Sequence, residues 1–86
     1  MAYALKNEYM WKEINGRVVV LHFDSGKYYS LNATGSLIWK GVLNNLPLDD
    51  IVGQICSLYE IEREIARKDA EEMIHTFQAK KFIKKT

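Results

Sequence analysis

The sequence has few of the staples on which small proteins rely: of 86 residues, one is cysteine, one proline and two histidine. A lone Cys56 excludes an internal disulfide, and no Cys/His cluster offers a zinc site in its place. Stability must come from packing, and a hydrophobic content of 48%, with 12% aromatic, suffices for a core. Charge of one sign is also missing, since 12 Lys and Arg stand against 11 Asp and Glu. A basic footprint for a polyanion would therefore require segregated charges. Long apolar runs are absent too. The longest clean one, Val18 to Leu21, is four residues, and the first 15 residues are polar-aromatic rather than signal-like. Both features predict no membrane association and a cytoplasmic protein. A chain this short has room for a single domain over 1–86, which excludes two-domain enzymes and doubly wound nucleotide folds.

What is present divides into a strand half and a helix half. Asn15-Gly16 lies between Glu8–Ile14 and Arg17–Phe23, and this dipeptide favours a type I′ hairpin because both central residues need positive φ. Asp24-Ser25-Gly26 turns the chain again into a third strand, Lys27–Leu31. Tyr29 and Leu31 alternate onto one of its faces, Tyr28 and Ser30 onto the other. If Ser25-Gly26 is a two-residue turn, Tyr29 lies across from His22 and Leu31 across from Val20. The second strand is apolar on both faces, with Val18 and Val20 on one and Val19, Leu21 and Phe23 on the other. One helical layer covers only one of them, so the second is either covered by another part of the chain or open to a partner.

Asn32 is an N-cap for a first helix from about Ala33 to Asn44, and Asn44-Asn45-Leu46-Pro47 ends it. Asp49 and Asp50 favour the start of a second helix bearing Ile51, Val52, Ile55, Leu58 and Tyr59. A third helix, from about Glu62 to Lys80, carries Ile65, Ala66, Ala70, Met73, Ile74 and Phe77 at helical spacing. Phe82-Ile83 either closes the core or adds a short strand, and Lys84-Lys85-Thr86 reads as a solvated tail. The order is βββααα, an α+β domain whose last two helices resemble a helix-turn-helix pair.

Chemistry is sparse. His22 and Asp24 fall short of the three or four ligands a metal site needs, His75 reads as a solvated helix residue, and Cys56 as a small core hydrophobe. Ser25-Gly26 and Thr34-Gly35-Ser36 are fragments of nucleophile or phosphate loops without the rest of their motifs. No acid, base or nucleophile constellation points to an enzyme, and no cofactor is implied. The alternative of a winged-helix nucleic-acid-binding or transcription accessory module meets an electrostatic objection. Between Glu60 and Glu72 six acids face three bases, so the would-be recognition helix is net negative. Lys80, Lys81, Lys84 and Lys85 cluster at its far end as a solvated charge run. The third strand, by contrast, has only Lys27 as a charged guard, so its edge either recruits an extended peptide beside the third helix or is covered by these residues packing on one another, and the pattern alone favours neither.

Gly26-Lys-Tyr-Tyr-Ser-Leu-Asn-Ala-Thr-Gly-Ser-Leu-Ile-Trp39, with Leu48-Asp-Asp-Ile-Val52 and Asp69, resembles the PqqD-like family, the RiPP recognition elements, from about Val18 to Ile83. The resemblance implies a winged-helix-turn-helix-like fold of three strands followed by three helices, and a non-catalytic protein that binds the leader region of a ribosomally synthesised precursor peptide. The leader adds as an antiparallel strand to the third strand, in a cleft walled by the third helix. It further implies a partner such as a leader peptidase, a cyclase or a radical SAM enzyme. Carried onto this sequence, Lys27, Tyr28, Tyr29, Ser30 and Leu31 supply the pairing edge and Asp69, Ala70, Met73 and Phe77 the helix side. Pockets between Tyr28 and the helix then select alternate apolar leader residues. Two departures stand out. Asp24-Ser25-Gly26 replaces the Pro-Glu-Gly turn associated with the pyrroloquinoline quinone pathway member, which favours a standalone element of another pathway, such as a lasso-peptide one, over a PQQ-like pathway and leaves the subfamily open. Lys80-Lys81 also stand where relatives often place a helix-ending glycine.

Overall fold

The computed structural model describes residues 3–86. Its elements are β1 (Tyr3–Leu5), β2 (Tyr9–Ile14), β3 (Arg17–His22), β4 (Tyr28–Ser30), α1 (Ala33–Leu43), α2 (Leu48–Tyr59), α3 (Arg63–Ala79) and β5 (Ile83–Lys85). The central βββααα order is the α+β arrangement read from the sequence.

Strands β2, β3 and β4 form an antiparallel sheet in that order. The hairpin turns at Asn15 (φ 53°) and Gly16 (φ 79°), the two positive dihedrals that a type I′ turn demands. Ile14 pairs with Arg17 and Tyr9 with His22. The second connection corrects the two-residue turn. Val20 faces Tyr29, Leu21 faces Tyr28 and Val19 faces Ser30, so the loop is longer and His22 donates its backbone N–H to Lys27 O at 2.9 Å. The histidine side chain closes this loop, because its Nδ1 accepts from the Ser25 N–H at 3.2 Å and lies 2.8 Å from Ser25 Oγ. The register differs from the two-residue expectation by two places, which leaves every side chain on its expected face.

The sheet's inner face carries Val18 and Val20, fully buried against Ile38, Trp39 and Phe77. Trp11 meets Trp39 edge-on at 6.3 Å between centroids, and Trp39 meets Phe77 at 5.0 Å. Ile51, Val52 and Ile55 of α2 and Ala66 and Ala70 of α3 complete the core. Helix α1 is seated closely on α2, since a Cβ on Gly41 would lie 2.8 Å from Ile51 Cγ1. Asp49 at the start of α2 pairs with Arg63 and Arg67 of α3, fixing the angle between the last two helices.

Both α1 and α3 end in Schellman motifs, with Asn45 (φ 60°) and Lys81 (φ 63°) in the left-handed region. In α3, Phe82 N–H reaches back to Phe77 O and Lys81 N–H to Gln78 O, each at 3.0 Å. Lys81 thus occupies the left-handed position that glycine adopts most readily. The motif turns Phe82 and Ile83 into the core and lets β5 pair with β1, Leu5 opposite Ile83 and Tyr3 opposite Lys85. Phe82-Ile83 thus both closes the core and starts a short strand, while strand β1 and its pairing with β5 were not anticipated. Lys84 and Lys85 are part of β5 rather than a tail, although both remain exposed. Among the described residues no helix is long and apolar enough to cross a membrane.

Candidate functional site

Strand β4 has a neighbour on one side only. In an antiparallel ladder consecutive residues direct their N–H and C=O alternately toward and away from the partner strand. Leu31 N–H donates to Val18 O and Lys27 O accepts from His22 N–H, both at 2.9 Å. Residues 27, 29 and 31 therefore turn inward, and Tyr28 and Ser30 present their backbone donors and acceptors to the open edge. The three residues of β4 are exposed, and Lys27 is the one charged side chain in the segment.

Within the segment Tyr29-Ser-Leu-Asn-Ala-Thr-Gly-Ser36, contacts of Tyr29, Leu31, Asn32, Gly35 and Ser36 hold this edge in place. Tyr29 lies on the inner face with its ring 5.0 Å from that of Phe82, and the Lys80 ammonium stands 5.5 Å from the Tyr29 ring centroid. Asn32 Oδ1 accepts from Gly35 N–H at 2.7 Å and caps α1. A Cβ on Gly35 would lie 3.1 Å from Asn32 Oδ1 and in ordinary contact, at 3.5 Å, with Met73 Cε, so glycine there leaves room for the capping amide oxygen while Met73 packs beside it. Ser36 is the buried polar residue of the core. Its hydroxyl accepts from Val18 N–H at 2.8 Å and donates to Leu31 O at 3.4 Å, bridging β3 and the end of β4 where their direct ladder stops.

Beside the C-terminal end of β4 lies a groove of about 340 Å³, lined by Asn32, Thr34, Ile38, Asp69, Glu72, Met73 and Thr76. Of the helix residues expected to wall it, the structure brings Asp69 and Met73 to the surface there. Ala70 and Phe77 are fully buried and offer no area to a ligand; their place on the inner side of α3 makes them core. Glu72 and Thr76, which sequence reasoning missed, take their positions. The signal was available, because residues three, four and seven places from Asp69 share its helix face. The expected pocket between Tyr28 and the helix does not exist. Tyr28, 70% exposed, is on the sheet's outer face with Met10, Val19 and Leu21, and Tyr29 is the tyrosine that faces the helices.

Larger hollows of about 490 and 550 Å³ lie over the helices, away from the open edge. Among the described residues no three His, Cys, Asp or Glu side chains gather as a metal site. Cys56 is a free, half-buried thiol packed against the core. Two of the three bases between Glu60 and Glu72, Arg63 and Arg67, are engaged by Asp49.

The molecule is thus an α+β domain in which the exposed edge of β4 lies beside a helix-walled groove. The chain belongs to the PqqD family: the family described as coenzyme PQQ synthesis protein D (PqqD) matches residues 17–83. No curated protein matches the chain. Two solved structures resemble it over nearly its whole length. "Lasso peptide synthetase B1 complexed with the leader peptide" aligns with a TM-score of 0.88 at 25% identity, covering 99% of this chain and 100% of its own. "TbiB1 in Complex with the TbiA(beta) Leader Peptide" gives 0.83 at 26% identity, covering 100% and 98%. The likeness extends to β1 and β2, which precede the matched family region.

Proposed function

We propose that this protein binds the leader region of a ribosomally synthesised precursor peptide and presents it to maturation enzymes, without itself catalysing a reaction. The observation that carries the reading is the free edge of β4, with the backbone groups of Tyr28 and Ser30 directed outward beside the α3 groove. An extended peptide added there satisfies those groups in an antiparallel ladder, which provides affinity and register, while alternate side chains enter the groove over Met73. Membership of the PqqD family and likeness to two proteins solved with leader peptides support this occupant. The lasso-peptide pathway is the class of biosynthesis favoured by those neighbours, with a leader peptidase or cyclase as the enzyme served. The work belongs in the cytoplasm, where precursors are made.

The test is fluorescence polarisation with a labelled leader from the co-encoded precursor. Micromolar or tighter binding is expected, and no binding at that concentration would overturn the proposal. Tyr28→Pro removes an outward amide from an edge position where proline is tolerated. It is expected to weaken binding at least tenfold with an unchanged far-UV circular dichroism spectrum. Unaltered affinity in a folded variant would place the site elsewhere.

A further inference from the structure

The charges along the groove have a direction. At the C-terminal end of β4 the charged side chains lining it are Asp69 and Glu72, both acidic and both exposed. Beyond the groove, just past the end of α3, Lys80 stands over Tyr29 of β4, with exposed Lys27 at the start of the strand segment. Met73 and Thr76 lie between the acidic pair and this lysine. Positions 69, 72, 73 and 76 of α3 and its C-cap at 80 follow helical spacing along one side of the helix. Neither Asp69, Glu72 nor Lys80 takes part in an intramolecular ion pair among the described residues. Their charge is therefore available to a ligand.

Strand direction converts this polarity into a sequence preference. Met73 approaches Gly35 and lines the groove with Asn32, beyond the end of β4, whereas Lys80 meets Tyr29 within it. Strand β4 and helix α3 thus run in opposite senses. A peptide antiparallel to β4 runs with α3, its upstream end at Asp69 and Glu72 and its downstream end at Lys80. From the Asp69–Glu72 turn to Lys80 the helix rises about 14 Å, the reach of about four residues of extended strand. Residues four apart in a strand share a face.

On the basis of the leader-binding reading, we infer that the groove selects peptides with a basic residue at position i, an apolar residue at i+2 and an acidic residue at i+4. The basic residue pairs with Asp69 and Glu72, the apolar one covers Met73, and the acidic one meets Lys80. The same charges oppose a strand whose basic and acidic residues are exchanged, so they set register and direction as well as affinity.

Three fluorescein-labelled dodecapeptides that share one alternating apolar frame test this. One has Lys at i and Glu at i+4, the second has them exchanged, and the third has Gln at both places. The wild-type chain is expected to prefer the first over the second by about tenfold at low salt, narrowing in 0.5 M NaCl, as attraction and repulsion at two exposed pairs combine. Glu72→Lys with Lys80→Glu, both at exposed positions, should invert the order. Glu72→Gln with Lys80→Gln should shrink the preference, leaving the remaining discrimination to Asp69. Equal binding of the three peptides, with loss of all three on Tyr28→Pro, would overturn the charge polarity and leave strand addition standing. Failure of every peptide, together with failure of the co-encoded leader, would overturn both.

Discussion

At the scale of single residues, Ser36 does most to hold the open edge. Its hydroxyl occupies the gap between Val18 N–H and Leu31 O, and alanine there would leave a buried donor unpaired. Ser36→Ala is expected to cost about 1–3 kcal/mol, seen as a lower urea midpoint, and to weaken peptide binding because the end of β4 loses its tether. Restoration of full stability by alanine would show that water replaces the hydroxyl there. Gly41 is constrained in a different way. A methyl group 2.8 Å from Ile51 Cγ1 forces α1 and α2 apart, and Gly41→Ala should cost about 1–3 kcal/mol without altering peptide binding, since the contact is remote from β4.

At the scale of elements, the end of α3 is unusual because Lys81 adopts a left-handed conformation that glycine accepts without a Cβ penalty. Lys81→Gly is expected to stabilise the fold by about 1 kcal/mol, read as a higher thermal midpoint. A decrease would mean that the lysine side chain makes a compensating interaction. The hairpin at Asn15-Gly16 and the cap at Asn32 were legible because each depends on residues adjacent in sequence. The β3–β4 register was not. His22 and Ser25 close that loop through a side-chain network that turn propensities do not encode, so the pairing moved by two residues while the faces stayed fixed. Tyr28 and the groove were misplaced for a related reason. Alternation identifies two faces, and only packing decides which one meets the helices.

At the scale of the whole molecule, β1 and β5 join the two ends of the described chain. Their pairing joins opposite ends of the sequence, which no local pattern encodes, and it depends on the Schellman turn that directs Phe82 inward. Leu5→Asp should strain this closure by placing a carboxylate against the core, lowering the urea midpoint while β2–β4 still pair. The distribution of charge operates at the same scale. Arg63 and Arg67 are engaged by Asp49 and the groove's helix face is acidic, an arrangement of α3 that disfavours contact with a duplex backbone. No retardation of a DNA duplex is expected even at low ionic strength. Binding that weakens steeply with salt would instead favour a nucleic-acid-binding module.

The sequence by itself determined the alternation of strand and helix, the type I′ hairpin, the Asn32 cap, the α+β class and the family, because these depend on local propensity, periodicity and short motifs. It also identified the weakly guarded third strand, since the scarcity of charge around Tyr28 and Ser30 is a property of composition. Tertiary structure decided which surfaces are open. It buried Ala70 and Phe77 beneath the groove, brought Glu72 and Thr76 to its wall, and directed Tyr29 rather than Tyr28 toward α3. The reason is geometric: a helix stripe wide enough to fill a core has edges, and whether a residue at such an edge is core or binding surface depends on how closely the neighbouring strand approaches.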